Sequence, residues 1–232
     1  MSESRYTKEF LKQIRAYRYG VDIFTLFCDF VEVAARSILR LVSPAAAPFN
    51  AETILSRYTP EIRKAFPALW KITVDAYRDN TDQDFLGPIY MEISSSKDTK
   101  KIGQYFTPYF LSVLAAKLSF NIEAKQRELS DHGYVGIFET AVGAGGIVIA
   151  LAEIAEEYGI PRNALRARGE DIDPYCVYMA YIQCSLAMIP AVIVFDNTLN
   201  MELPESFCTP ACYMSQTQDI PSVIDRLYKA MT

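Results

Sequence analysis

The sequence predicts an α/β fold in which a partial parallel sheet is preceded by a helical region, and three observations predict it. Runs rich in β-branched and aromatic residues stand at 134–138 and 191–195, and Leu165 to Ile172 reads as a further strand between them. Helical patterns separate them: 147–158 keeps Glu153, Glu156 and Glu157 on one face, and 174–189 is apolar almost all round. Residues 6 to 80 read as helical.

In that leading region the strongest helix runs from Asp22 to Val42. Asp29, Glu32, Arg36 and Arg40 interrupt its apolar residues, so it is no membrane span. Ser43-Pro44 and Pro48 end it, and a further helix is expected between Ala51 and Arg78. The polar stretch from Ser94 to Lys101 reads as a linker, which divides the chain into a helical region (1–93), a linker (94–102) and an α/β domain (103–232).

The α/β domain carries the most informative run, Phe138-Glu139-Thr140-Ala141-Val142-Gly143-Ala144-Gly145-Gly146-Ile147-Val148-Ile149: a strand end, a glycine-rich turn and a helix start. Glycines at 143, 145 and 146 present no Cβ and permit backbone angles closed to other residues, so a cofactor can approach the main chain. The same run also serves merely to seat a helix on a sheet. Val148 stands where a dinucleotide fingerprint needs its third glycine, which disfavours a nicotinamide dehydrogenase. Gly159 and Pro161 stop the helix, and the strand that follows ends in Asp171-Ile172-Asp173-Pro174. A carboxylate there can accept from two ribose hydroxyls, and Asp173 before Pro174 also suits a helix cap. Asp171 is therefore assigned to a ribose and Asp173 to the cap. The third run, Ala191 to Phe195, delivers Asp196 and Asn197 to the carboxyl edge where ligands of open α/β sheets bind.

Together, Glu139 to Gly146, Gly169-Glu170-Asp171-Ile172-Asp173-Pro174, Asp196-Asn197-Thr198-Leu199 and the upstream Gly103-Gln104-Tyr105-Phe106-Thr107-Pro108 resemble the ordered cofactor motifs of the N6-adenine DNA methyltransferases. Among these the chain is similar to the modification subunit of type I restriction-modification systems, over roughly residues 100 to 200. The resemblance implies a Rossmann-like methyltransferase sheet that binds S-adenosyl-L-methionine. It further implies that Gly143, Gly145 and Gly146 line the cofactor, with Glu139 near its amino group and Thr107 near its carboxylate. Asp171 would hold the ribose and Asp196 the adenine amine, with Ile172 or Phe195 beside the ring. Tyr105, Ala141 and Asn197 complete the expected shell. Each pairing has a chemical reason: the cationic end favours a carboxylate, the adenine amine donates, and the anionic end wants hydroxyl or amide donors.

Two departures stand beside the match. The family's catalytic tetrapeptide, [DNS]-P-P-[FYW], does not occur, so no catalytic residue is assigned; its nearest counterpart is Thr209-Pro210-Ala211-Cys212-Tyr213. After Phe195 no further strand is expected, and Asp219 to Met231 reads as an amphipathic helix. Since the family's first strand is central in the sheet, residues 134–140 should present an exposed apolar edge. The expected cover is the N-terminal region, the C-terminal helix, or a second chain in a homo-oligomer or with a partner subunit.

Composition bounds the remaining choices. Half of the 232 residues are apolar, enough for a packed core, and a net charge of −5 argues against polyanion binding by the whole surface. Arg5, Lys8, Lys12, Arg15 and Arg18, or Lys97, Lys100 and Lys101, could form a local DNA-facing cluster or simply a solvated face. Five cysteines without ligand spacing, one histidine and a charged N-terminus point to a reduced cytoplasmic protein with no metal site and no membrane contact. Two functions remain open: adenine methylation in DNA, alone or within a complex, and a non-catalytic relative that binds the cofactor and acts through a partner. A nucleotide-binding protein of another class is a third.

Overall fold

Asp22 starts the longest helix because its carboxylate accepts a hydrogen bond from Thr25 N at 2.9 Å, and twenty residues from Ile23 then keep helical phase. The computed structural model describes residues 4–43, 49–95, 105–196 and 205–213. Within them the N-terminal region consists of α1 (Arg5–Arg15), α2 (Ile23–Val42), α3 (Glu52–Leu55), α4 (Pro60–Arg63), α5 (Ala65–Asp79) and α6 (Leu86–Ser95). The single helix expected between Ala51 and Arg78 is thus three, because Thr59 caps a new start and Pro60 occupies its first position. Asp29, which interrupts the apolar face of α2, is buried and accepts from Tyr58 Oη at 2.6 Å. Two helices follow that the sequence pattern did not reveal, α7 (Tyr109–Ser119) and α8 (Ile122–His132).

The α/β part runs β1 (Val135–Glu139), α9 (Gly146–Glu157), β2 (Leu165–Asp171), α10 (Pro174–Leu186), β3 (Ala191–Phe195) and β4 (Glu205–Cys208). The three runs expected as strands are β1, β2 and β3. They lie side by side in parallel, and β4 joins β3 antiparallel, giving the order β1-β2-β3-β4. The expectation of no strand after Phe195 is therefore corrected. β4 escapes a pattern reading because it is four residues long and buries only Phe207, against Tyr178 and Tyr181 of α10. Its outer end is fixed by Arg36 of α2, whose Nη1 donates to Glu205 Oε1 at 2.7 Å.

Successive crossovers that advance in one direction across a parallel sheet put their helices on one face. Val135, Ile137, Leu165, Ala167, Ala191 and Ile193 are buried, while the alternate residues Phe138, Arg166 and Arg168 are exposed on the opposite face. The hydrophobic core runs without a break from Phe10 through Trp70 and Tyr77 to Tyr181 and Phe207, so the helical region and the sheet share it.

β1 lies at an edge of this sheet among the described strands, and a helix not named among the expected covers reaches part of that edge. The main chain of Gly136 is satisfied by α8, immediately before it in the chain: Gly136 N donates to Glu128 Oε1 at 2.6 Å, and Lys125 Nζ donates to Gly136 O at 2.8 Å. The helix expected over 219–231, linker residues 96–102 and the basic cluster at Lys97, Lys100 and Lys101 lie outside the described residues. Ser94 and Ser95, placed in that linker, complete α6. Arg5 and Arg15 on α1 pair with Asp79 and Glu92. No described helix is long and apolar enough to cross a membrane.

Candidate cofactor-binding site

Three parallel strands ending together bring Glu139, Asp171 and Asp196 to one carboxyl edge of the sheet. Between β1 and α9 the chain reverses through Gly143 (φ +53°) and Gly145 (φ +97°), the left-handed angles that make glycine the residue of choice. A Cβ on Gly145 would stand 3.1 Å from Ala180 Cα, so the turn seats directly on α10. Asp171 ties the turn to the neighbouring strand: its Oδ2 accepts from Gly143 N at 2.9 Å and its Oδ1 from Asp173 N at 3.0 Å. Asp173 caps α10, accepting from Tyr175 N at 2.8 Å, with Pro174 at the first helical position.

A pocket of about 300 Å³ opens beside this turn. Of the residues expected at a cofactor, Tyr105, Thr107, Glu139, Ala141, Gly143 and Gly146 line it. Gly145 shapes the turn below, and Asp171 is one hydrogen bond away through Gly143. Ile172, 71% exposed, and Asp196 share the carboxyl edge but not the pocket wall. Asp196 N donates to Asp171 O at 3.2 Å, which holds the two strand ends together. Asn197 lies outside the described residues.

The helical region closes the pocket from the other side. Phe106 lies over Gly143, where an added Cβ would meet its ring at 3.3 Å, and its own ring packs on Tyr90 of α6. Ser112 of α7 is buried and also lines the pocket. α7 comes close because Ser112 and Ala116 present only small side chains to α9, and Tyr109 Oη donates to Glu153 Oε2 at 2.7 Å.

Asp84 is the acid that sequence reasoning missed. It precedes α6, and its Oδ1 accepts from Gly87 N and from Gln183 Nε2, both at 2.9 Å. The same Gln183 side chain, fully buried on α10, donates to Ala144 O at 2.6 Å. Its Oε1 accepts from Tyr77 Oη, Phe85 N and Leu86 N. One amide thus joins α5, the start of α6, α10 and the glycine turn. Burial pushes the Asp84 carboxyl pKa up, and the bonds from Gln183 and Gly87 pull it back only in part. The sequence signal, an acid three residues before Gly87 at a helix start, is that of a cap and nothing more.

Chemically, the pocket sets the carboxylates of Asp84 and Glu139 on its walls. Against them stand the Thr107 hydroxyl and the first turn of α9, whose leading amides have no partner within the helix. Such a site can hold a ligand that carries both a cationic and an anionic group. The degenerate loop at 209–213 is far from it: Thr209 Oγ1 donates to Ile189 O and accepts from Ala191 N, at the amino end of β3. Its threonine is a buried sheet fastener on the wrong edge. No cluster of metal-ligating side chains occurs among the described residues.

A model of the N-6 DNA methylase family matches residues 81–220. The chain belongs to the N-6 DNA methylase family. That match covers more than half of the chain and begins ahead of Asp84, so the family's region takes in α6 as well as the glycine turn. No curated protein and no solved structure matches the chain. Membership in the N-6 DNA methylase family relates the chain to methylation of adenine in DNA.

Proposed function

We propose that this chain binds S-adenosyl-L-methionine through a Rossmann-like methyltransferase sheet and serves adenine N6 methylation in DNA as the cofactor-holding member of a complex. One observation carries the reading: the glycine-turn pocket has carboxylates on its walls and unpaired helix amides at its floor, the donor set that a zwitterionic amino-acid end requires. The residues fit the group, and when bound it supplies an electrophilic methyl on a sulfonium. Thr107 and the leading amides of α9 orient its carboxylate. Gly143 and Gly145 let the backbone approach, and Asp171 keeps acceptor lone pairs for ribose hydroxyls beyond the bonds it makes to Gly143 and Asp173. Asp196, at the end of the neighbouring strand, accepts from the adenine amine, with Ile172 beside the ring.

The complex belongs to this proposal because the tetrapeptide is missing from residues 1–232 and Thr209 sits at the opposite edge of the sheet from the pocket. A partner subunit or a second copy would bring the polar side chain and aromatic that a flipped adenine needs. The second reading, a non-catalytic cofactor-binding relative, is favoured by the same absence. Calorimetry with S-adenosylmethionine, run beside transfer of labelled methyl groups to unmethylated duplex DNA, tests both. Binding without transfer by the purified chain is expected. Transfer by the chain alone would remove the need for a partner, and no binding would overturn the reading.

A further inference from the structure

Asp84 does more than cap a helix. Capping and the contact with Gln183 both use Oδ1, at 2.9 Å each. Oδ2 accepts no hydrogen bond from any described residue, although Asp84 lines the pocket. It stands 2.3 Å from where a Cβ on Gly87 would be and 3.4 Å from where one on Gly146 would be, so two glycines leave the space in which it sits. A cap alone needs no second oxygen beside a cavity, and a partly buried carboxylate oxygen without a protein donor among the described residues favours a ligand donor in its place. Its orientation is fixed from behind by Gln183, itself held by three further donors. Glu139 also lines the pocket and uses one oxygen, Oε1, to accept from Ala141 N at 3.0 Å, but it stands on the glycine turn that it braces and has no side-chain anchor like Gln183 among the described residues.

We infer that Asp84 is a cofactor-binding residue that accepts a charge-assisted hydrogen bond, through Oδ2, from the α-ammonium group of the bound cofactor. This rests on the cofactor reading above and goes beyond it by assigning the cationic end to a residue of the helical region, outside the glycine turn and its strands. The geometry is that of a preorganised acceptor: one oxygen anchored, the other left for a ligand. The helical region then contributes a direct ligand contact, and the pocket is complete only when α6 is docked.

The test compares the full chain with an Asp84→Asn variant, using S-adenosylhomocysteine and its desamino analogue, which keeps the carboxylate and adenosine but lacks the ammonium group. The amide retains the Oδ1 bonds, so the thermal midpoint of the unliganded variant should not fall. Affinity of the variant for S-adenosylhomocysteine should drop about tenfold or more, while affinity for the desamino analogue stays the same. Equal loss for both ligands, or no loss for either, overturns the assignment while leaving the cofactor reading in place. Failure of the unsubstituted chain to bind S-adenosylhomocysteine overturns both.

Discussion

The two flanks of the sheet are built on opposite terms. Beside β3 and β4, every residue of α10 from Cys176 to Leu186 is buried, clasped between the sheet and α2. Beside β1, α8 buries no residue, and α7 turns its small residues inward and its large ones outward, with Phe110, Leu114 and Leu118 between 53% and 81% exposed. Both α7 and α10 are apolar in sequence, so composition does not distinguish them. The difference teaches that the shared core with the helical region anchors one flank, whereas the other is attached by small-residue contact and a few polar bonds. Phe110, Leu114 and Leu118 stand at i, i+4 spacing and so share one face of α7 at the surface of the described residues.

Substitutions can break this contrast, and the largest effect belongs to the anchored flank. Gln183→Leu would leave Tyr77 Oη, two backbone amides and Ala144 O without their partner in a dry core, at a cost of about 4 kcal/mol in urea unfolding. A loss below about 1 kcal/mol would mean that the hub is dispensable. Next, Ile182→Ala in α10 should cost about 3 kcal/mol, whereas Leu114→Ala in α7 should cost less than about 1 kcal/mol. Equal losses would show that α7 is covered in the isolated chain.

The smallest effect concerns Glu128. Burial alone would raise its pKa, but the bond from Gly136 N and the neighbouring Lys125 hold it below its ordinary value. A carboxylate depressed in the folded state contributes stability that is present above its unfolded pKa and fades as pH falls through the folded one. Glu128→Gln should therefore cost under about 1 kcal/mol near neutrality, with the difference shrinking on acidification below about pH 4. A constant difference across pH would trace the loss to packing.

What was legible in the sequence is what depends on near neighbours. The three parallel strands, the glycine turn and the capping of α10 by Asp173 follow from periodicity, forbidden backbone angles and capping chemistry. β4 was hidden because its anchor, Arg36, lies on α2, far away in sequence. α7 was hidden because 109–119 lacks the polar face that announces a surface helix. At the pocket, Tyr105, Thr107 and the turn residues were legible through local motifs. Asp84 was not, because its orientation is set by a side chain 99 positions later.

The guard on β1 has a bearing on how the chain is made. An unpaired strand edge is most hazardous during synthesis, before its neighbours exist. Here the helix that supplies Glu128 and Lys125 precedes β1 and leaves the ribosome first, so Gly136 meets its partners as soon as it emerges. β2, the strand that pairs the other side, arrives only after α9 has been made. The nascent chain thus carries partners for the outward main chain of Gly136 before the strand that pairs its other side has been made.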